Sequence, residues 1–288
     1  MNLETMINQN KTDKEAYAEA KKAERDWVYK TANDMAEKAV SSPDLFKQYL
    51  IAQSQFEQYS VNNALLVLAQ KPDSKLLKDY NAWKELGVKT QKNTGILIIE
   101  PGAEYTKADG STGISYNPKK VYDVTNTSLR VWQNQLAGLS NDQYLMTLIK
   151  SSPVNIKLVE ELPENRIALY NYEKHEISVR TSSTEQIFVA LSKEIAHATR
   201  HQLDSSTNYK SNNFYAYCTS YMMCQRFGFP TNSFNFEKVP ELFKGLEAKE
   251  IKPNLHPIKE LAEICIGRTA MEILKTKERD QKPKGQER

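Results

Sequence analysis

Between residues 13 and 40 a polar, Ala/Lys/Glu-rich stretch carries Trp27, Val28, Ala32, Met35, Ala36 and Val40 at near-helical spacing, which predicts a long amphipathic helix. Ser42-Pro43 restarts the chain as an N-cap and first-turn pair, and Leu45, Phe46, Tyr49, Leu50 and Phe56 continue the period toward Tyr59. A break near Ser60 precedes a further helical run into Ala64-Leu65-Leu66-Val67-Leu68. Lys71-Pro72-Asp73 ends that run, and a short helix carrying Tyr80, Trp83 and Leu86 stops at Gly87. The period then changes. Gly95 to Ile99 and Val121 to Val124 read as strands, joined through a polar excursion that contains Asp109-Gly110.

Residues 128 to 150 predict a helical connector, and Ser151-Ser152-Pro153 marks a boundary. Strand composition follows at Asn155 to Glu160, Ile167 to Tyr172 and Glu176 to Arg180, with Pro163-Glu164-Asn165 and Glu173-Lys174 as turns. Ser182-x-x-Glu185 reads as a capping box that opens the next helix. Phe214 to Phe227 predicts a helix closed by Gly228, and Leu255 to Leu274 a last helix begun at His256-Pro257. The expected fold class is α+β: an N-terminal helical and β-hairpin domain over 1–127, a helical connector over 128–152, and a second α+β domain with a small antiparallel sheet over 153–274. A charged, disordered tail over 275–288 completes the expectation, and no internal repeat is visible.

The chain has 288 residues, 40% of them hydrophobic, enough for a sizeable core and two domains. It has no apolar run of membrane-spanning length, and its first residues lack the apolar centre of a secretory signal, so no membrane partner is expected. Cys218, Cys224 and Cys265 are odd in number, lack CxxC spacing and sit in apolar contexts, as buried free thiols do. Together these features predict a cytoplasmic protein. A net charge of +3 excludes an acidic imitator of DNA and leaves nucleic-acid contact to local basic patches.

The candidate chemistry lies in Lys193-Glu194-Ile195-Ala196-His197. It is the zinc-protease helix motif His-Glu-x-x-His with lysine in place of its first histidine. In the intact motif two histidines four apart hold zinc on one helix face and the glutamate deprotonates the bound water. A lysine ammonium has donors and no lone pair, so at neutral pH it repels zinc where histidine binds it. On an amphipathic helix the same residues also read as ordinary surface charge, with His197 a satisfied core histidine.

Residues Ile167 to Gln202, with HEISVRTSSTEQIFVALSKEIAHATRHQ within them, resemble the zincin-like metallopeptidase domain that accompanies ArdC-type antirestriction domains, a relative of ImmA/IrrE peptidases. The resemblance implies a third zinc ligand from a glutamate near the start of the following helix, and Tyr215-Ala216 stands at the matching place. Lys193 and Tyr215 would then replace two ligands, leaving His197 as the one matched ligand and Glu194 as the matched base. A catalytic zinc needs about three protein ligands, so the implied domain is a pseudo-peptidase with no cofactor. The alternative is a displaced site in which His197 and His201, helped by His175 or Asp204, keep zinc; that pair has no glutamate between its histidines to act as base.

Tyr59 to Asp73, Tyr80 to Gly87 and Tyr116 to Thr127 resemble the N-terminal domain of the ArdC family. That resemblance implies binding of single-stranded DNA and protection of incoming DNA of a plasmid, phage or integrative element against restriction during conjugation. Candidate DNA contacts are Tyr80, Trp83, Lys84, Lys89 and Lys92 in one cluster, and Lys119 and Lys120 beside Tyr116 and Tyr122 in another. Lysines track phosphates, and aromatic faces stack on unpaired bases at about 1–3 kcal/mol each. The competing reading makes Tyr80 and Trp83 core and the lysines a solvated face. At 91–95 this sequence has Gln-Lys-Asn-Thr-Gly where the family has a more basic turn, which predicts weaker DNA binding. For Asn62 and Asn63, within an apolar helical run, fixing a helix break or a neighbouring loop accounts for them better than DNA contact. Besides this non-catalytic anti-defence reading stand an active metallopeptidase and a protein-binding module that sequesters a host defence nuclease or effector.

Overall fold

The computed structural model describes residues 3–129 and 132–281. The chain divides into two compact units, Met1–Lys38 with Asn62–Arg130, and Ala39–Val61 with Val131–Arg288. In chain order the helices and strands are α1 (Leu3–Val40), α2 (Pro43–Gln55), α3 (Val61–Gln70), β1 (Leu77–Asp79), α4 (Tyr80–Glu85), β2 (Ile96–Thr106), β3 (Thr112–Asp123), α5 (Asn141–Lys150), β4 (Asn155–Val159), β5 (Ala168–Asn171), β6 (Glu176–Arg180), α6 (Thr184–Leu203), α7 (Tyr209–Phe227), α8 (Val239–Leu242) and α9 (Ala248–Gln281). The architecture is α+β, as the pattern predicts.

In the first unit an antiparallel sheet of order β1-β3-β2 carries the register Ile96↔Val121 and Ile98↔Lys119. Val28 and Ala32 of α1, Leu66 of α3 and Ile99 of β2 form a core cluster, with Leu97 packed against it. α3 is apolar nearly all round, and Ala64 to Leu68 are all buried, as such a helix requires. Two of its three amide side chains meet the free edge of β2. Asn63 accepts from the Ile99 amide and donates to the Ile99 carbonyl, both at 2.8 Å, and Gln70 does the same with Leu97. Seven residues apart on one helix face, they match alternate strand residues and satisfy an edge that would otherwise be exposed to pairing. The hairpin runs far past the expected strand ends. Its outer arm is wetted on both faces and has no apolar alternation to reveal it.

In the second unit β6 lies between β4 and β5, parallel to β4 and antiparallel to β5. The sheet is therefore mixed and not antiparallel as expected, because hydrophobic composition reports burial and carries no strand direction. α2, expected in the first domain, belongs here. Phe46 lies 6.1 Å from the Phe214 ring and 5.5 Å from Phe236, so this helix adds aromatic bulk to the α7 side of the core. The helical connector is shorter than 128–150, since α5 begins only at Asn141, capped by Ser140. Helix α6 is capped by Ser183, whose hydroxyl accepts from Gln186 N; the capping residue is one later than expected. α9 starts well before His256-Pro257 and contains Pro253 and Pro257. Buried Ile251, Leu255, Ile258 and Leu261 share its inner face, and their burial outweighs the backbone bonds the prolines remove. The expected tail from 275 continues α9 as far as residue 281, and 282–288 lie outside the described residues. All three cysteines are buried and free. Among the described residues no helix is long and apolar enough to cross a membrane.

Candidate functional site

α6 presents Glu194, His197 and His201 toward the β5–β6 hairpin, with Lys193 beside them at the mouth of a cleft of about 530 Å³. Glu194 is 3% exposed. Its Oε2 accepts from the Tyr170 amide of β5 at 2.9 Å, which ties the helix to the sheet. Burial pushes its carboxyl up to about 7, against the pull of that amide and of the Lys193 and Arg166 cations.

Tyr209, at the first turn of α7, joins the group. Lys193 Nζ donates to Tyr209 Oη at 3.2 Å, and that hydroxyl donates to Glu194 Oε1 at 3.4 Å. The lysine cation thus reaches the buried carboxyl through a tyrosine. The same ring lies 5.3 Å from Lys193 Nζ and 5.1 Å from the Arg166 guanidinium, within cation–π range of both. Burial lowers the Lys193 pKa, with Glu194 acting against it.

His197 is fully buried and stacks on Tyr209 at 4.2 Å and 14°. Its Nδ1 lies 2.9 Å from Tyr172 Oη, which accepts from Asn212 Nδ2 at 3.1 Å. Assigned from these partners, the tyrosine proton points to Nδ1 and the imidazole proton sits on Nε2; the opposite tautomer leaves the tyrosine proton unmatched as well as Nε2. Nε2 has no hydrogen-bond partner among the described residues. Burial, then the Lys193 and Arg166 charges, depress the ring pKa to about 3, so His197 is neutral.

The displaced metal pair does not form a ligand set. His201 Nδ1 is engaged by Tyr170 Oη at 2.9 Å, and its ring stacks on His175 at 5.0 Å. Asp204 caps the end of α6 and accepts from Ser206. Among the described residues no group of three or more His, Cys, Asp or Glu side chains converges as metal ligands. A catalytic zinc requires about three such donors and an open position. With an ammonium at 193 and no third donor converging among the described residues, the side chains present do not fit one.

Tyr215 lies off this site. Its ring packs 6.0 Å from Phe214, and it borders a separate cleft with Leu242, Phe243 and Leu246. The residues of α7 that reach the site are Tyr209, Asn212 and Asn213. The sequence pattern starts that helix at Phe214, which leaves Tyr209 in a loop, whereas α7 begins at Tyr209 itself. Asn208, which accepts from Ser211 N as N-cap, is the signal that places the true start.

The nucleic-acid candidates of the first unit separate into two groups. Trp83 is 1% exposed and its indole N–H donates to the Tyr122 carbonyl at 2.9 Å, so it is core and has no face to offer a base. Lys119 is paired with Asp79 at 3.0 Å and Glu100 at 2.8 Å, and its charge is spent within the protein. Tyr80 is exposed, as are Lys84, Lys89, Lys92 and Lys120.

No protein-family model matches the sequence, and no curated protein matches it. Among solved structures, the fold is similar to the metal-free crystal structure of the ArdC antirestriction protein from the R388 plasmid, with TM-score 0.50 and 17% identity over 74% of this chain and 86% of that chain. The Mn(II)-bound structure of that protein matches with TM-score 0.46 and 14% identity, over 82% of this chain and 99% of that one. At such identity the likeness is one of fold: the chain has an ArdC-like α+β architecture.

Proposed function

We propose that this protein is an ArdC-like antirestriction protein of a mobile element, binding single-stranded DNA through its first unit and carrying a zincin-like second unit that does not cut. The observation that carries the non-catalytic half is Lys193, whose ammonium engages Tyr209 and, through it, Glu194 at the place where the intact motif has a metal-binding imidazole. An internal cation there polarises the carboxyl without activating a water. The fold likeness to an antirestriction protein supports the role, and the exposed Lys84, Lys89, Lys92 and Lys120 with Tyr80 supply the charge and ring that a single strand needs.

A mobility assay with a single-stranded oligonucleotide at stepped salt tests the binding. The expected result is a complex that weakens steeply with salt, and no complex at low salt removes the reading. Transfer of unmodified plasmid DNA into a restricting host tests the role: expression of the protein raises transfer efficiency there and leaves a non-restricting host unchanged. Equal efficiency with and without the protein counts against an antirestriction role.

A further inference from the structure

With Trp83 buried, Tyr80 is the exposed ring left in the first candidate cluster, and a further exposed ring of the first unit stands at Trp27. Trp27, on α1, is 45% exposed although its neighbour Val28 is fully buried. It borders a cleft of about 590 Å³ that Asn93, Gly95 and Asn126 also line. The segments that carry Asn93 and Asn126 are tied together through the backbone. Gln91 N donates to the Asn126 carbonyl at 2.9 Å, Ser128 N to the Lys89 carbonyl at 2.8 Å, and Thr90 bridges Thr127. Asn93 sits at φ +60°, a left-handed turn that asparagine tolerates.

The side chains of Asn93 and Asn126 make no hydrogen bond among the described residues, so two free amides and an indole line one opening. Lys92 adjoins Asn93 in sequence and is exposed, and Lys120 passes over Gly95, where a Cβ would stand 2.6 Å from Lys120 Cγ. Neither lysine makes an ion pair among the described residues. Asp73 at the rim is balanced by Lys71 at 3.2 Å. Aromatic face, amide edges and free cations together are the chemistry that an unpaired nucleotide satisfies, through stacking, base-edge hydrogen bonds and phosphate attraction.

We infer that the Trp27 cleft binds one unpaired nucleobase of a DNA strand, stacked on the indole and facing Asn93 and Asn126. This rests on the single-stranded DNA reading above. The test measures affinity of the full chain for an oligothymidylate of about twelve nucleotides, a length within the usual site size, and for an abasic strand of the same length. Wild type prefers the strand with bases. Trp27→Ala weakens oligothymidylate binding about tenfold or more, reduces that preference and leaves the salt slope unchanged, while Trp27→Phe restores part of the affinity. A Trp27→Ala protein that binds within about twofold of wild type, or keeps the preference for bases undiminished, overturns the inference and leaves the DNA reading standing. So does a loss that also lowers the salt slope, because it reports phosphate contacts instead of a base. Absence of any binding by wild type at low salt removes the DNA reading itself, and the inference with it.

Discussion

Replacing Glu194 by glutamine isolates the electrostatic cost of the site. The carboxyl is 3% exposed, and burial raises it from 4.5 to about 7. Between those values the folded chain holds a proton that the unfolded chain has released. The contribution to stability is therefore full below pH 4.5 and lost as pH rises through about 7. At about 1.4 kcal/mol for each pH unit, the interval from 4.5 to 7 is worth about 3 kcal/mol. Glu194→Gln keeps the shape and an acceptor for the Tyr170 amide but cannot ionise. Urea unfolding of both proteins between about pH 4 and about pH 9 gives the comparison. His197, whose depressed pKa produces the opposite slope below 6.5, is common to both proteins and cancels to first order in the difference. The stability of wild type relative to the variant is expected to fall by about 3 kcal/mol across the range. A difference that stays flat refutes the raised carboxyl and the dry setting assigned to it.

Asn63→Ala leaves the Ile99 amide and carbonyl without their partner at a buried strand edge, and urea unfolding should show a loss of about 2–5 kcal/mol. In oligonucleotide titrations against salt, Lys92→Ala should lower the slope by about 1, whereas Lys119→Ala, whose charge Asp79 and Glu100 already hold, should leave it unchanged.

How far the chain could be read in advance depended on whether the signal was local. Ser42-Pro43 marked the start of α2, and the Lys-Glu-x-x-His spacing put Glu194 and His197 on one helix, since caps and helical periods are properties of adjacent residues. Trp83 looked equally suited to stacking or to core, and only the Tyr122 carbonyl on β3, 39 residues away, decides it. Lys119 counted as a free cation until the fold brought Asp79 and Glu100 to it. Tyr209 was not visible as a site residue because tyrosine carries no ligand signal and its turn read as loop. The parallel pairing of β4 with β6 leaves no trace in the composition of either strand.

In the proposed reading, the Lys193 ammonium leaves the α6 site unable to hold a catalytic metal. Elemental analysis of the purified full-length chain, loaded with zinc and then dialysed against metal-free buffer, tests that directly. The predicted result is zinc far below one ion per chain, the same in wild type and in His197→Ala. Zinc that survives dialysis at about one per chain in wild type and is lost in His197→Ala contradicts it, because His197 would then be holding a metal beside the Lys193 ammonium.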